Sequence, residues 1–179
     1  SDVYKRQLEK TVYSHLLTAA NITNAEALIK IWQQITPHLQ LEPQLLITYT
    51  QELIKYDELY AEKFIRSSLK KTWNSRLVLI YSEISKVEPA KLVKNLEMWL
   101  IQHDQDINLL MAAAKVYKRQ RLWGQAEQYL RRCLNIHSTP ALPSQFERRR
   151  VYIELADIMA NTNRPDDAIK YYQLALGRK

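Results

Sequence analysis

Glycine and cysteine are scarce in this chain. Its 179 residues include two glycines and one cysteine. Gly124 and Gly177 are too few and too far apart to build the glycine-rich loops that hold nucleotide phosphates, so the common nucleotide-binding motifs are excluded. The lone Cys133 cannot form an internal disulfide, and its apolar setting indicates a packing role.

Long apolar runs are also absent from the sequence. Runs such as Leu77 to Tyr81 and Leu109 to Ala114 are far shorter than the roughly 18 residues needed to cross a bilayer. Elsewhere the apolar residues are interrupted by polar ones at helical spacing, a pattern typical of amphipathic helices that share a core.

Positive charge, in contrast, is in excess. The net charge is +7 and the isoelectric point is about 9.4. This balance favours anionic partners, namely nucleic acid, phospholipid or acidic proteins, and does not choose between them.

A set of six positions occurs twice, 42 residues apart. The first set is Leu110, Ala114, Tyr117, Ala126, Leu130 and Cys133, and the second is Tyr152, Ala156, Met159, Ala168, Tyr172 and Ala175. Large and small residues alternate in both sets. Small residues let two antiparallel helices approach closely while large ones fill the seam, so the pattern predicts a helical repeat, a class that usually binds rather than catalyses.

The apolar spacing predicts an all-α chain of ten helices in five hairpins, with Asn24 and Asn74 as candidate N-caps. The predicted ranges are 8–20, 24–36, 43–55, 58–71, 74–86, 89–102, 106–120, 122–136, 144–161 and 165–176. Pro140 and Pro143 mark an insertion before the last hairpin. The insertion accounts for an offset of 42 residues, where repeats of this size run to about 34.

The hairpin from Leu45 to Ile65 resembles the tetratricopeptide repeat, which implies a right-handed superhelix. Three stretches are similar to the C-terminal half of the HemY family of bacterial inner-membrane proteins associated with late haem biosynthesis. They are Leu28–Pro37 around Trp32, Leu69–Tyr81 with the later Trp99, and Arg121–Leu130 with its Leu-Trp-Gly-x-Ala element.

The HemY resemblance implies a non-catalytic scaffold. It would be anchored in the bacterial inner membrane by helices upstream of this chain, with the repeat domain soluble on the cytoplasmic side and haem-pathway enzymes as candidate protein partners. Residues 1–7 are similar to a translated sequencing-library adapter and are expected to be an artefact. We expect residues 8–179 to form a single domain.

Candidate catalytic and metal-binding groups are dispersed. The four histidines, His15, His38, His103 and His137, are too far apart to form a helical metal-binding pair. Three of them fall at predicted helix C-termini, where a positive imidazole is favourable. Neither an acid/base pair nor a nucleophilic dyad stands out, so the chain is predicted not to be an enzyme. Axial haem ligation by one histidine stays open as an alternative.

The basic residues give the sharpest binding hypothesis. In tetratricopeptide folds, the first helix of each pair lines a concave groove through five regularly spaced positions. In this chain those positions include Asn108, Met111, Lys115, Lys118 and Arg119 in one repeat and Arg150, Ile153 and Asp157 in the last. This set predicts a groove that accepts acidic peptides, although solvated basic helix faces would show the same spacing.

Nucleic-acid binding is the alternative from another class. The isoelectric point, Arg131-Arg132 and the run from Arg148 to Arg150 support it. Binding of single strands requires exposed aromatic side chains interleaved with cations, whereas the aromatic residues of this chain keep the apolar helical phase. The patterning therefore argues against nucleic acid. Porphyrin carriage is a further alternative.

Overall fold

The structure, a computed structural model, describes residues 1–136 and 145–178. Across these residues the only regular secondary structure is α-helix, in eleven segments, which confirms the all-α prediction. The predicted insertion at 137–143 lies outside the described residues. The chain divides into two compact units, Ser1–Val87 and Glu88–Lys179, which are described separately.

Unit 1 contains six helices. They are α1 Asp2–Leu17, α2 Ala25–Gln34, α3 Pro37–Gln40, α4 Pro43–Tyr56, α5 Glu58–Lys71 and α6 Ser75–Tyr81. The two predicted N-caps are present: the Asn24 side chain accepts a hydrogen bond from the Ala27 amide at 2.8 Å, and Asn74 caps α6 in the same way. Helix α4 lies at the centre and packs against all five other helices.

A buried charge inside unit 1 is fully paired. Glu62 is 1% exposed, and its carboxylate accepts hydrogen bonds from Arg66 Nε at 2.7 Å and from the Tyr81 hydroxyl at 2.9 Å. A buried carboxylate is tolerated when its oxygens are satisfied in this way. The contact ties α5 to α6.

Two helix predictions in unit 1 need correction. The segment 37–40 forms the short helix α3, although four residues are too few to show a helical period. The helix predicted over 74–86 ends at Tyr81. Downstream, the Glu58 carboxylate accepts hydrogen bonds from the Ser85 and Lys86 amides at 2.9 and 2.8 Å, and backbone groups held by a distant side chain do not continue the helix.

Unit 2 contains five helices in its described part. They are α7 Pro89–Leu100, α8 Ile107–Arg119, α9 Trp123–Leu134, α10 Gln145–Asn161 and α11 Pro165–Ala175. Helices α8 and α9 form one hairpin, and α10 and α11 form the next. The small repeat residues Ala114, Ala126, Ala156 and Ala168 are all buried, as close helix packing requires.

The two hairpins of unit 2 have the same turn. Arg121 and Asn163, which are 42 positions apart, have φ values of 60° and 58°. The amide after each one bonds back five residues, Leu122 to the Tyr117 carbonyl at 3.0 Å and Arg164 to the Met159 carbonyl at 2.9 Å. This left-handed C-terminal cap is the Schellman motif. The sequence repeat is therefore also a repeat of the backbone.

Candidate partner-binding surface

The predicted groove residues lie on two helices of unit 2, α8 and α10. Lys118 on α8 joins them, because its Nζ lies 2.7 Å from Asp157 Oδ2 and 2.7 Å from Glu154 Oε2, both on α10. Two groove positions from successive repeats thus meet directly. We call the surface formed by Lys115, Lys118, Arg119, Arg150, Ile153, Glu154 and Asp157 the α8–α10 face.

The residues of the predicted groove differ in accessibility. Ile153 is 49% exposed, whereas Met111 is 2% exposed and belongs to the core of unit 2. Lys115, Arg150 and Asn108 are half-buried. Met111 is therefore not accessible to a ligand, and Ile153 is the apolar side chain exposed on the α8–α10 face.

Lys118 is engaged within the protein. Burial alone would lower the pKa of its ammonium group, but the hydrogen bonds to Asp157 and Glu154 outweigh burial and raise the pKa. Glu154 was not among the predicted groove residues. It lies three residues before Asp157 and so shares a helix face with it, which is the signal that could have identified it.

A second charge cluster ties the two hairpins of unit 2 together. Glu127 on α9 accepts hydrogen bonds from Arg164 Nη2 at 2.9 Å and from Arg131 Nη2 at 2.8 Å. The Arg164 hydrogen bond, followed by that of Arg131, holds the pKa of Glu127 below its usual value. Arg131 was a candidate contact for nucleic acid, and its positive charge is here opposed by a carboxylate.

A third cluster joins α7, α8 and α9. The Tyr117 hydroxyl donates to Glu97 Oε1 at 2.7 Å, and Tyr129 reaches the same oxygen at 3.3 Å. The two rings stack with centroids 5.6 Å apart, and the Arg132 guanidinium carbon lies 5.5 Å from the centre of the Tyr129 ring. Burial, and then the hydrogen bond to Glu97, raises the pKa of Tyr117. Glu97 Oε1 therefore links α7 to both α8 and α9.

Cys133 is 1% exposed, and burial raises the pKa of its thiol to about 12, so it is no thiolate nucleophile at neutral pH. His15 and His38 are exposed and His103 is half-buried, while His137 lies outside the described residues. Within 1–136 and 145–178, no three His, Cys, Asp or Glu side chains are arranged to hold a metal ion.

None of the described helices combines the length and the apolar character needed to span a bilayer.

The helical hairpins and their shared turn define the class of fold: an all-α, tetratricopeptide-like helical repeat. Two solved structures of MamA, a protein with a tetratricopeptide-like fold, are similar to this chain. An Asp-to-Lys mutant of MamA aligns over 100% of both chains with 11% identity and a TM-score of 0.51. A crystal structure of MamA aligns over 94% of this chain and 85% of its own, with 15% identity and a TM-score of 0.44. No protein-family model and no curated protein sequence matches the chain.

Proposed function

We propose that this chain is a non-catalytic protein-interaction scaffold whose α8–α10 face binds an acidic segment of a partner protein. The observation that carries the proposal is the contact of Lys118 with Asp157 and Glu154, because it brings the predicted groove residues of two repeats onto one surface. Helical repeats commonly bind extended or helical peptides along such a surface.

The charges on the α8–α10 face favour an acidic ligand with an apolar residue. Asp157 and Glu154 oppose the charge of Lys118, so Lys115 and Arg150 are the cations best placed to attract a carboxylate. Ile153, at 49% exposure, adds an apolar contact between charged residues. Charge attraction combined with a small apolar contact is the usual composition of a peptide-binding site.

The direct test is charge reversal at two of these cations. The double variant Lys115→Glu/Arg150→Glu is compared with Lys91→Glu/Lys94→Glu on α7, which has the same change in charge at exposed positions. The probe is a fluorescein-labelled peptide of alternating glutamate and leucine, followed by fluorescence anisotropy. We expect the α8–α10 variant to bind about tenfold more weakly, since losing two partly exposed charge contacts removes roughly 1.4 kcal/mol.

Charge attraction also predicts how binding depends on the charge of the peptide and on salt. The wild-type chain should bind the glutamate peptide more tightly than the same peptide with glutamine, and salt should reduce the difference. Equal losses in the α8–α10 and α7 variants would contradict the proposal. Reversal of Lys118 with Arg119 is a less direct test, because it also removes both ion pairs of Lys118 and so changes folding.

We propose further that the chain is the repeat domain of a HemY-like inner-membrane protein of haem metabolism. The support is the set of three motif-bearing stretches around Trp32, Trp73 and Trp123. Sequencing the source DNA upstream of codon 8 tests this. Two apolar spans of about 20 residues in that DNA would support the proposal and identify residues 1–7 as an artefact. A start codon without such spans would contradict it.

A further inference from the structure

Unit 1 contains a pocket that the groove hypothesis does not involve. It has a volume of about 600 Å³, within the range of roughly 300–1,000 Å³ that is usual for small-molecule sites. It lies between the corner formed by α2, α3 and α4 on one side and the end of α5 with the start of α6 on the other. Its lining comprises Trp32, Pro37, Gln40, Leu41, Pro43, Leu46, Phe64, Ser68, Lys71, Thr72, Trp73, Asn74, Ser75 and Arg76.

The inner wall of this pocket is a rigid aromatic surface. Trp32 stacks on Tyr49 with ring centroids 4.3 Å apart and an interplanar angle of 9°. Phe64 meets both rings edge-on, at 5.9 Å from Trp32 and 5.0 Å from Tyr49. These are the favourable geometries for aromatic pairs. Since folding already fixes the rings, a flat apolar ligand would not have to order them on binding.

The mouth of the pocket is positively charged. Lys71 and Arg76 are both exposed, and Arg76 Nη1 donates to the neutral amide oxygen of Gln44 at 3.2 Å. That hydrogen bond holds the guanidinium in place without cancelling its charge. All fourteen lining residues belong to the described part of the chain, and none of them is acidic.

The composition of the lining also differs from that of a haem site. Among these same fourteen described residues there is no histidine, cysteine, methionine or tyrosine. An iron porphyrin would therefore find no axial protein ligand on these walls. The chemistry that fits is an apolar body against the aromatic wall and an anionic group at the mouth.

We infer that the pocket of unit 1 binds a small amphipathic anion, a molecule with a flat apolar body and a terminal carboxylate or sulfonate. Trp32 and Phe64 contact the apolar body, Leu41 extends the apolar wall at the rim, and Lys71 and Arg76 bind the anionic end. This site lies in unit 1 and is independent of the function proposed for the α8–α10 face.

The test uses a matched pair of fluorescent probes with the full chain. The anionic probe is 1-anilinonaphthalene-8-sulfonate, and the neutral probe is N-phenyl-1-naphthylamine, which has the same aromatic body without the sulfonate. We expect one saturable site per chain for the sulfonate and weaker binding of the neutral probe. Replacing Lys71 and Arg76 with glutamine should weaken sulfonate binding by about tenfold and leave binding of the neutral probe unchanged.

A second pair of variants tests the apolar wall. Leu41 and Leu59 are 57% and 55% exposed, so Leu41→Asp and Leu59→Asp should both leave the fold intact, which circular dichroism checks. Only Leu41 lines the pocket. We expect Leu41→Asp to weaken both probes by about tenfold, because it puts a carboxylate against an apolar ligand, and Leu59→Asp to weaken neither.

Three results would overturn the inference. One is equal binding by the Leu41→Asp and Leu59→Asp variants. Another is an equal loss of both probes on removing the two cations. The last is non-saturable binding of the sulfonate to the wild-type chain, which would indicate scattered surface contacts.

Discussion

The hairpins α8–α9 and α10–α11 share a turn and a pattern of small residues, yet they differ in what covers their second helix. Leu130 on α9 is 1% exposed, whereas Tyr172, the equivalent residue on α11, is 43% exposed. Helix α9 packs against both α8 and α10. The comparison shows that the repeat sequence specifies the hairpin, while the burial of its outer face depends on the neighbouring hairpin.

Truncation of the two equivalent residues should give the largest difference. Leu130→Ala removes a buried side chain and leaves a cavity, so we expect it to lower the free energy of unfolding by about 2–5 kcal/mol. Tyr172→Ala, at an exposed position, should cost less than about 1 kcal/mol. Urea denaturation followed by circular dichroism measures both. Similar losses for the two variants would show that α11 is covered as α9 is.

The ion-paired carboxylate of α9 has no counterpart on α11, where Ile169 occupies the position equivalent to Glu127 and is 56% exposed. Glu127→Gln removes the charge that Arg164 and Arg131 stabilise. We expect a loss of about 1 kcal/mol near neutral pH, because the three side chains are partly exposed. Thermal melts at several pH values provide the measurement.

The sign of the pH dependence follows from the direction of the pKa shift. The pKa of Glu127 is lowered from an ordinary value of 4.5, so the unfolded chain takes up the proton more readily than the folded chain. The contribution of the ionised Glu127 carboxylate to the free energy of unfolding is complete when the pH is above the ordinary pKa. It is lost as the pH falls through the lowered pKa. The wild type and Glu127→Gln should therefore converge in acid. A difference independent of pH would contradict this.

At the shared turn, a substitution is expected to raise the free energy of unfolding instead of lowering it. Arg121 and Asn163 both have positive φ, a conformation that asparagine tolerates better than arginine. We expect Arg121→Gly to raise the free energy of unfolding by about 0.5–1 kcal/mol and Asn163→Gly to change it by a few tenths. Chemical denaturation tests the ranking. Equal effects would mean that Arg121 forms compensating contacts.

The smallest expected effect concerns the first turn of α9. Apart from its chain neighbours and the backbone of its own helix, a Cβ added at Gly124 would meet no atom within 4 Å, and the equivalent residue in α11 is Asp166. Gly124→Asp should stabilise the chain by about 0.5 kcal/mol, since it removes backbone freedom and places a negative charge at a helix N-terminus. Gly177→Ala is the control and should destabilise the chain, because φ there is +73° and a residue with a side chain is strained in that conformation. Destabilisation by Gly124→Asp would show that the glycine is needed.

Most of the helices could be predicted from local patterns. The ranges 106–120 and 165–176 predicted two helices that the structure places at Ile107–Arg119 and Pro165–Ala175. Apolar spacing, together with Pro165 in the first turn of the second of these helices, was sufficient there. The early end of α6 could not be predicted, because it depends on Glu58, a residue distant in sequence.

The candidate sites show the same limit. The tetratricopeptide resemblance predicted that Lys118 and Asp157 line one groove, but it could not show that they form an ion pair, because that depends on how successive hairpins pack. In unit 1, Trp32 fits a core position by its spacing, and it is indeed 7% exposed. That it also forms the wall of a pocket follows from the arrangement of α3 and the end of α5, which no local pattern encodes.

Cys133 is a natural probe of local opening in unit 2. It is the only cysteine in the sequence, it is 1% exposed, and it lies inside the α8–α9 seam. A thiol reagent can react with it only when that seam opens, so the labelling rate of the native protein measures the frequency of opening. The same lone cysteine that excludes a disulfide scaffold is thus a single labelling site from which the rate of local unfolding in unit 2 can be measured.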